Sequence, residues 1–150
     1  MGRLVRRPGE AELQALAGRT QARAVLPNSA ERLEAGRAAL AEGHLGQALS
    51  LFAEAAVLNP EDPWPWHGRG DALISEADPE GALAAYDQAA SLAPESGLVE
   101  VGRGNALERL GRHEEAIAAW TLALRREPDL EWARAGLSRH GALPASEEDE

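Results

Sequence analysis

The chain has 150 residues, enough for one domain of ordinary size and too few for a second, catalytic domain. It contains no cysteine, which excludes disulfides, thiolate metal sites and cysteine nucleophiles, and the absence agrees with a reducing compartment. Its net charge of -10 repels phosphate backbones, so we expect neither nucleic-acid binding nor docking on anionic membranes.

Residues 1–28 predict a basic N-terminal segment followed by an amphipathic helix. The arginines at the start are followed by Pro8, Gly9 and Glu10, where an export signal needs an apolar stretch. Between residues 10 and 26, apolar side chains recur on one helical face. No apolar run in the chain approaches the length of a membrane span, so a cytoplasmic location is expected.

From residue 29 onward the sequence repeats with a step of 34 residues. The step is seen in prolines, glycines, alanines and one aromatic residue of each unit, namely Pro60, Pro94 and Pro128, Gly36, Gly70 and Gly104, Ala48, Ala82 and Ala116, and Phe52, Tyr86 and Trp120. Apolar residues within each unit recur at steps of three and four, which is the spacing of a helix. The sequence therefore predicts two helices per unit, in units at about 29–62, 63–96 and 97–130.

Several residues predict where these helices begin and turn. Gly43 and Gly111 lie where the first helix must reverse, in a conformation that glycine tolerates. The middle unit has Asp78 and Pro79 there instead, an N-cap followed by proline. The other predicted helix starts are Asn28, the pair Asp62 and Pro63, and Ser96.

A capping helix and an acidic tail are predicted to follow the third unit. The helix spans residues 130–140, with Asp129 as its N-cap and Trp132, Ala135 and Gly136 on its apolar side. Residues 141–150 end in a run of acidic residues without an apolar face, so we expect this tail to be disordered.

These ladders of residues resemble the tetratricopeptide repeat (TPR). The resemblance implies an all-α fold, a right-handed helical solenoid of antiparallel helix pairs with an N-terminal helix and a C-terminal capping helix. It also implies that Gly36 and its equivalents face Ala48 and its equivalents, and that each unit's aromatic residue fills the gap toward the next pair. The run from Arg103 to Leu107 is similar to bacterial variants of the repeat.

In TPR proteins the first helices of successive units line a concave groove that holds a peptide or a partner helix. The resemblance places these residues on that face: Leu33, Arg37, Trp64, His67, Asp71, Leu98, Val101, Asn105 and Trp132. Ala30, Leu40, Ile74, Glu108 and Ala135 share the same face. Large apolar residues and arginine often anchor protein interfaces.

Some of these residues have alternative interpretations. Trp64 serves as a structural staple between two units, as a partner site, or as the docking point of the chain's own N-terminal helix, whereas Trp66 is expected in the core. Asn105 matches a position that holds peptide backbones in TPR grooves, and solvated surface is the alternative for it, for Arg37 and for Asp71. The N-terminal helix either caps the first pair or occupies the groove.

The sequence carries no recognisable catalytic or metal-binding motif. His113 begins a His-Glu-Glu-Ala-Ile run whose fifth residue would have to be histidine in a zinc peptidase. The chaperone-type carboxylate clamp of some TPR proteins needs Lys and Asn on the first helix, Asn in the second unit and Lys with Arg in the third. It is missing here, because those positions hold Leu33, Arg37, Gly68, Leu98 and Gly102.

These observations predict a non-enzymatic adaptor that binds a protein partner, with no cofactor and no metal. We expect a monomer or a weak homo-oligomer. The alternative is a self-associating scaffold that is built from the same repeats.

Overall fold

The computed structural model of the chain describes residues 9–14 and 28–145. Residues 10–14 are helical, and residues 142–145 have no regular secondary structure. The basic start, the rest of the predicted N-terminal helix and the last five residues of the acidic tail lie outside the described residues.

Between residues 28 and 145 the chain forms three helix pairs and a closing helix. The first pair is α1 (Ser29–Ala41) and α2 (Leu45–Leu58), the second is α3 (Trp64–Ser75) and α4 (Pro79–Leu92), the third is α5 (Gly97–Arg109) and α6 (His113–Arg126), and α7 (Glu131–Arg139) follows. Each helix packs against the next one along the chain. In addition, consecutive first helices contact each other. The described part contains no strand, so the fold is all-α as predicted.

Side chains cap three of the helices at the predicted positions. The backbone N–H of Glu31 donates to Asn28 Oδ1 at 3.0 Å, and that of Val99 donates to Ser96 Oγ at 3.3 Å. Asp78 accepts from the N–H of Gly81 at 3.0 Å, with Pro79 as the first helical residue of α4. Such caps satisfy N–H groups that have no partner inside the helix.

Two predicted helix starts differ in the structure. Asp129 does not cap α7, because that helix begins at Glu131, its N-cap is Leu130 and no side chain bonds to its first turn. The second unit begins one residue later than predicted, at Trp64, and Asp62 Oδ1 accepts from the Trp64 N–H at 3.0 Å.

The turn inside each pair uses the same backbone geometry. Gly43 and Gly111 have φ of 81° and 75°, as the sequence predicts. The middle unit reaches the same left-handed conformation with Ala77, at φ 61°. The N–H of His44 donates to Ala39 O at 2.8 Å and that of Asp78 to Leu73 O at 2.9 Å, the hydrogen bond that closes a Schellman turn. Alanine has a Cβ that glycine lacks, so Ala77 holds a strained conformation.

The core consists of one buried aromatic ring per pair, enclosed by two glycines. A Cβ placed on Gly36 would lie 2.6 Å from the Phe52 ring, and one on Gly68 would lie 2.5 Å from it. Tyr86 fills the same place between Gly70 and Gly102, and Trp120 between Gly104 and Gly136. Each ring therefore bridges its own first helix and the first helix that follows.

This packing confirms the position of the aromatic residues and corrects the reason for the first glycine. The atoms nearest to Gly36 belong to the Phe52 ring and not to Ala48, which is itself fully buried. Glycine is needed at that place because a ring lies over the helix, which leaves no space for a side chain.

Arg103 of α5 belongs to a cluster of ion pairs that includes a buried glutamate. Arg103 donates from Nε to Asp87 at 2.7 Å and from Nη1 to Glu100 at 2.9 Å, and Arg126 also approaches Glu100. Burial opposes the charge of Arg103, but Asp87 and Glu100 outweigh this and raise its pKa. Glu100 is only 4% exposed, and these two cations compensate its buried charge.

Trp66 does not lie in the core. It is half-buried on the face of α3 opposite Trp64 and His67, and the Arg69 guanidinium lies 6.0 Å from its ring centre. It lines a mostly apolar pocket of about 250 Å³ with Phe52, Ala56 and Val57. This pocket lies between α2, the second helix of the first pair, and α3, the first helix of the second pair.

Candidate partner-binding groove

Consecutive first helices contact each other directly, which defines the inner side of the stack. α1 contacts α3, α3 contacts α5, and α5 contacts α7, whereas no Cα atoms of second helices from different pairs lie within 8 Å of each other in residues 28–145. Helices that approach each other more closely lie on the inside of a curved stack. We call the inner surface of α1, α3, α5 and α7 the groove.

The predicted groove residues differ widely in their exposure. Trp132 is 72% exposed and Leu98 39% exposed, while Trp64 and His67 are half-buried. Arg37 is exposed, and Asp71 and Asn105 are half-buried. These side chains remain accessible to a ligand.

Two predicted groove residues belong to the core instead. Leu33 packs in the cluster around Phe52, and Val101 in the cluster around Trp120. Both are nearly inaccessible to solvent, at 7% and 3% exposure. Their position in the repeat is shared with the half-buried His67, so the register alone does not distinguish a lining residue from a core residue.

The centre of the groove holds an aromatic cluster tied to one carboxylate. His67 contacts the edges of Trp64 and Tyr86, with ring centres 5.7 Å and 5.3 Å apart. The Tyr86 hydroxyl donates to Asp71 Oδ1 at 2.6 Å, and His67 Nδ1 lies 3.3 Å from Asp71 Oδ2. Burial, together with the charge and hydrogen bond of Asp71, raises the pKa of Tyr86, so the hydroxyl stays a donor and fixes the carboxylate.

The third unit repeats this arrangement with different chemistry. The Trp120 Nε1–H donates to Asn105 Oδ1 at 3.3 Å, which leaves the amide nitrogen of Asn105 without a hydrogen bond in the described part. In the first unit Phe52 has no polar atom, and Arg37, at the same register, pairs with Glu34 at 2.7 Å. A side chain with an acceptor oxygen therefore occupies this position of the repeat wherever the core ring carries an O–H or N–H donor.

This coupling was not recognised in the sequence. The sequence predicts Asp71 and Asn105 as ligand-facing or solvated residues, whereas in the structure each also accepts a hydrogen bond from a core ring 15 residues later. The signal was present, because the 34-residue step aligns Phe, Tyr and Trp with Arg, Asp and Asn. Only the packing shows that the two series touch.

At the C-terminal end of the groove lies a pocket of about 510 Å³ between α5 and α7. Its lining includes residues predicted for the groove face, namely Ile74, Asn105, Glu108, Trp132 and Ala135. Sequence reasoning missed Arg109, Glu131 and Arg139, which complete the lining. Arg109 directly follows a predicted face residue, and Arg139 lies one turn beyond Ala135, so a wider helical stripe would have included them.

The charges in this pocket are partly compensated. Glu108 accepts from Arg139 Nη2 at 2.8 Å and lies 2.9 Å from His140 Nε2. Burial alone would raise the pKa of Glu108, but the hydrogen bonds and charges of Arg139 and His140 lower it below its ordinary value. Arg109 and Glu131 make no ion pair within residues 28–145.

Two positions of the carboxylate clamp have no space for a side chain. A Cβ on Gly68 would meet the Phe52 ring at 2.5 Å, and a Cβ on Gly102 would meet the Tyr86 ring at 2.5 Å. The asparagine and the basic residue of that clamp could not be accommodated at these glycines without moving the rings.

The part of the chain that the structure describes offers neither a metal-binding cluster nor a membrane-spanning helix. No group of three or more His, Cys, Asp or Glu residues there could hold a metal ion. No helix there is both long and apolar enough to cross a membrane.

Comparison with known proteins relates this geometry to one family. A family model described as tetratricopeptide repeat matches residues 67–131, the second and third pairs. No curated protein matches the sequence significantly.

Solved structures with the same fold include three TPR domains. The Arabidopsis OM64 TPR domain is 26% identical, with a TM-score of 0.70 over 74% of this chain and 92% of that one. The second TPR domain of human RPAP3, in complex with the HSP70 peptide SGPTIEEVD, is 22% identical, with a TM-score of 0.68 over 72% and 90%. The Sgt2 TPR domain from Aspergillus fumigatus is 20% identical, with a TM-score of 0.70 over 81% and 87%.

Proposed function

The chain is a tetratricopeptide-repeat protein, and from this premise we propose that it is a non-enzymatic adaptor that binds a protein segment in the groove. One observation carries the proposal: large apolar side chains remain accessible on the inner helices, in the row formed by Trp64, Leu98 and Trp132. Exposed aromatic and aliphatic residues that share a concave surface are typical of a peptide site.

The polar residues of the groove support an extended peptide as ligand. Asp71 is held in place by Tyr86, and Asn105 by Trp120. Side chains that are fixed before binding lose little entropy when they hydrogen-bond to a ligand. The free amide nitrogen of Asn105 suits a peptide carbonyl, and the Asp71 carboxylate suits a peptide N–H.

The mode of binding would differ from that of the similar structure that holds an HSP70 peptide. The clamp positions of this chain are Leu33, Arg37, Gly68, Leu98 and Gly102, and two of them face core rings directly. Recognition through apolar side chains and the peptide backbone therefore fits this groove better than recognition of a terminal carboxylate.

The test is an affinity pull-down with the full chain, followed by titration of an identified partner into variants. We expect Trp64→Ala and Leu98→Ala each to weaken binding by about 1–3 kcal/mol, the range for anchor residues. Val57→Ala is the matched control, because Val57 is 79% exposed and lies on the outer side. Unchanged affinity in both groove variants would contradict the proposal.

Deletion of residues 1–27 tests whether the N-terminal helix competes with the partner for the groove. If that helix occupies the groove, the shortened chain should bind the partner more tightly, since no internal ligand must be displaced. If the helix caps the first pair, the deletion should lower the stability and leave the affinity unchanged or weaker.

A self-associating scaffold is the second candidate function, and the outer pocket favours it. The pocket around Val57 and Trp66 is mostly apolar, and Leu58 beside it is 56% exposed. Light scattering over a range of concentrations distinguishes the two functions. If the chain is a scaffold, its measured mass rises with concentration, and Val57→Asp should abolish this rise. If it is an adaptor, it stays monomeric.

A further inference from the structure

The pocket between α5 and α7 has a feature that the closing role of α7 does not explain. α7 buries Ala133, Gly136 and Leu137 against the third pair, and Gly136 receives the Trp120 ring. Trp132 points away from this contact and is 72% exposed. An indole that contributes so little to the core, on the rim of a 510 Å³ pocket, is available to a partner.

The pocket is lined by groups that suit one bulky apolar side chain and the peptide backbone on either side of it. Ile74 and Ala135 provide apolar surface, and the Trp132 indole provides a flat apolar wall. Arg109 pairs with no carboxylate in the described part, and its N–H groups suit peptide carbonyl oxygens. The free amide of Asn105 lines the same pocket and adds a second donor.

Charge decides which residues should flank that apolar side chain. Glu108 is already engaged by Arg139 and His140, which leaves one unpaired cation, Arg109, and one unpaired carboxylate, Glu131, among the described residues at the pocket. The chain as a whole carries a net charge of -10, which attracts cationic segments at long range and repels acidic ones.

We propose that this pocket anchors a partner segment in which a bulky apolar residue is flanked by basic residues. The inference rests on the proposed function and specifies the chemistry of the ligand at one end of the groove. Trp132 and Ile74 would contact the apolar side chain, while Glu131 and the overall acidic field would select the basic flanks.

The experiment is a selection from a random 12-residue peptide library, displayed on phage, against the immobilised full chain. Expected is enrichment of peptides that carry Trp, Phe or Leu next to Lys or Arg. Synthetic copies of the enriched peptides are then titrated into Trp132→Ala, Glu131→Gln and Val57→Ala. Trp132→Ala should lose at least about tenfold in affinity, as an anchor contact does. Glu131→Gln should lose about twofold to threefold and show a weaker salt dependence.

The control is again Val57→Ala, which should bind like the parent chain. The proposal is overturned if no peptide is enriched, if the enriched peptides are acidic or lack an apolar anchor, or if Trp132→Ala binds them equally well. Circular dichroism of Trp132→Ala shows whether it remains folded, as its exposure predicts.

Failure of this inference is distinguishable from failure of the proposed function. Peptides that depend on Trp64 and Leu98 but not on Trp132 place the anchor elsewhere in the groove, so the adaptor function stands and this inference falls. Peptides whose affinity does not change with substitution of Trp64, Leu98 or Trp132 contradict both this inference and the proposed function.

Discussion

The two ends of the helix stack present the same helix face to different surroundings. At the C-terminal end, Gly136 of α7 receives the Trp120 ring, and Ala133 and Leu137 are fully buried. At the other end, the residue of α1 equivalent to Gly136 is Glu34, whose side chain is 69% exposed. A ring from a preceding pair could not pack against Glu34 as the rings pack against the glycines.

Ala38 shows the same difference one turn later in α1. Its equivalents Ala72 and Ala106 are fully buried beneath the preceding pair, whereas Ala38 is exposed. At Gly68, Gly102 and Gly136, the position that receives a ring from the preceding pair (the ring-receiving register) is thus a glycine, whereas in α1 the same position is the charged Glu34. Identical periodicity therefore has different energetic consequences at the two ends of the stack.

The largest expected effect is the loss of the closing helix. Removing residues 129–150 exposes the Trp120 ring and the buried surface of the third pair, and should destabilise the protein by about 3 kcal/mol or more. Removing only residues 143–150 takes away the acidic run and, among the described residues 143–145, only exposed side chains, and should leave the stability unchanged. Thermal unfolding of both truncations tests this, and equal melting temperatures would contradict a capping role for α7.

Single substitutions at the ring-receiving register should reproduce the contrast on a smaller scale. Gly136→Ala places a Cβ about 2.5 Å from Trp120 and should cost about 1–3 kcal/mol by overpacking. Glu34→Ala at the equivalent place should change the stability by no more than about 0.5 kcal/mol, since it removes only an exposed ion pair. Urea unfolding of the two variants measures the difference. A similar loss in both would show that the two ends are packed alike.

The turn of the middle pair allows a stabilising change. Ala77→Gly relieves the left-handed strain of alanine and should raise the free energy of unfolding by about 0.5–1 kcal/mol. Gly111→Ala, in the equivalent turn of the third pair, should lower it by a similar amount. Denaturant midpoints of both variants are the measurement, and a loss of stability in Ala77→Gly would contradict the strain.

The smallest effect concerns pH at the closing end. The folded state lowers the pKa of Glu108, so its contribution is present above the pKa of an unfolded glutamate, about 4.3, and is lost as the pH falls through the folded value. As the pH falls below 5, Glu108→Gln should therefore lose less stability than the parent chain does. The difference between the two losses should be on the order of a few tenths of a kcal/mol. Melting temperatures along a pH series compare the two, and parallel curves would show that the ion pairs with Arg139 and His140 contribute nothing.

Much of the fold could be predicted from the sequence. The 34-residue step of proline, glycine and aromatic residues placed the helix pairs, because each pair must bury the same face and so repeats the same residues. Asn28, Ser96 and Asp78 were recognised as caps because they act on N–H groups three residues away. Asp129 does not cap α7, because that helix begins two residues later, at Glu131, with Leu130 as its N-cap.

The groove was predicted less completely than the fold. Trp132, Leu98 and Trp64 lie on the accessible inner surface as the register indicated, but Leu33 and Val101 are core residues. Helical periodicity gives the direction of a side chain, whereas its burial depends on the size of the residues on the neighbouring helix. Val101 is covered at the place where His67, one unit earlier, remains partly open.

The sequence by itself determined the local and repeated features: helical spacing, turn residues, and the identity of the ring in each pair. Only the tertiary structure decided which residues those rings touch. The pairing of Tyr86 with Asp71 and of Trp120 with Asn105, and the contact of each ring with two glycines, join residues that are 15 or 16 positions apart. Contacts of that kind depend on how two helices cross, which the order of residues along one helix does not specify.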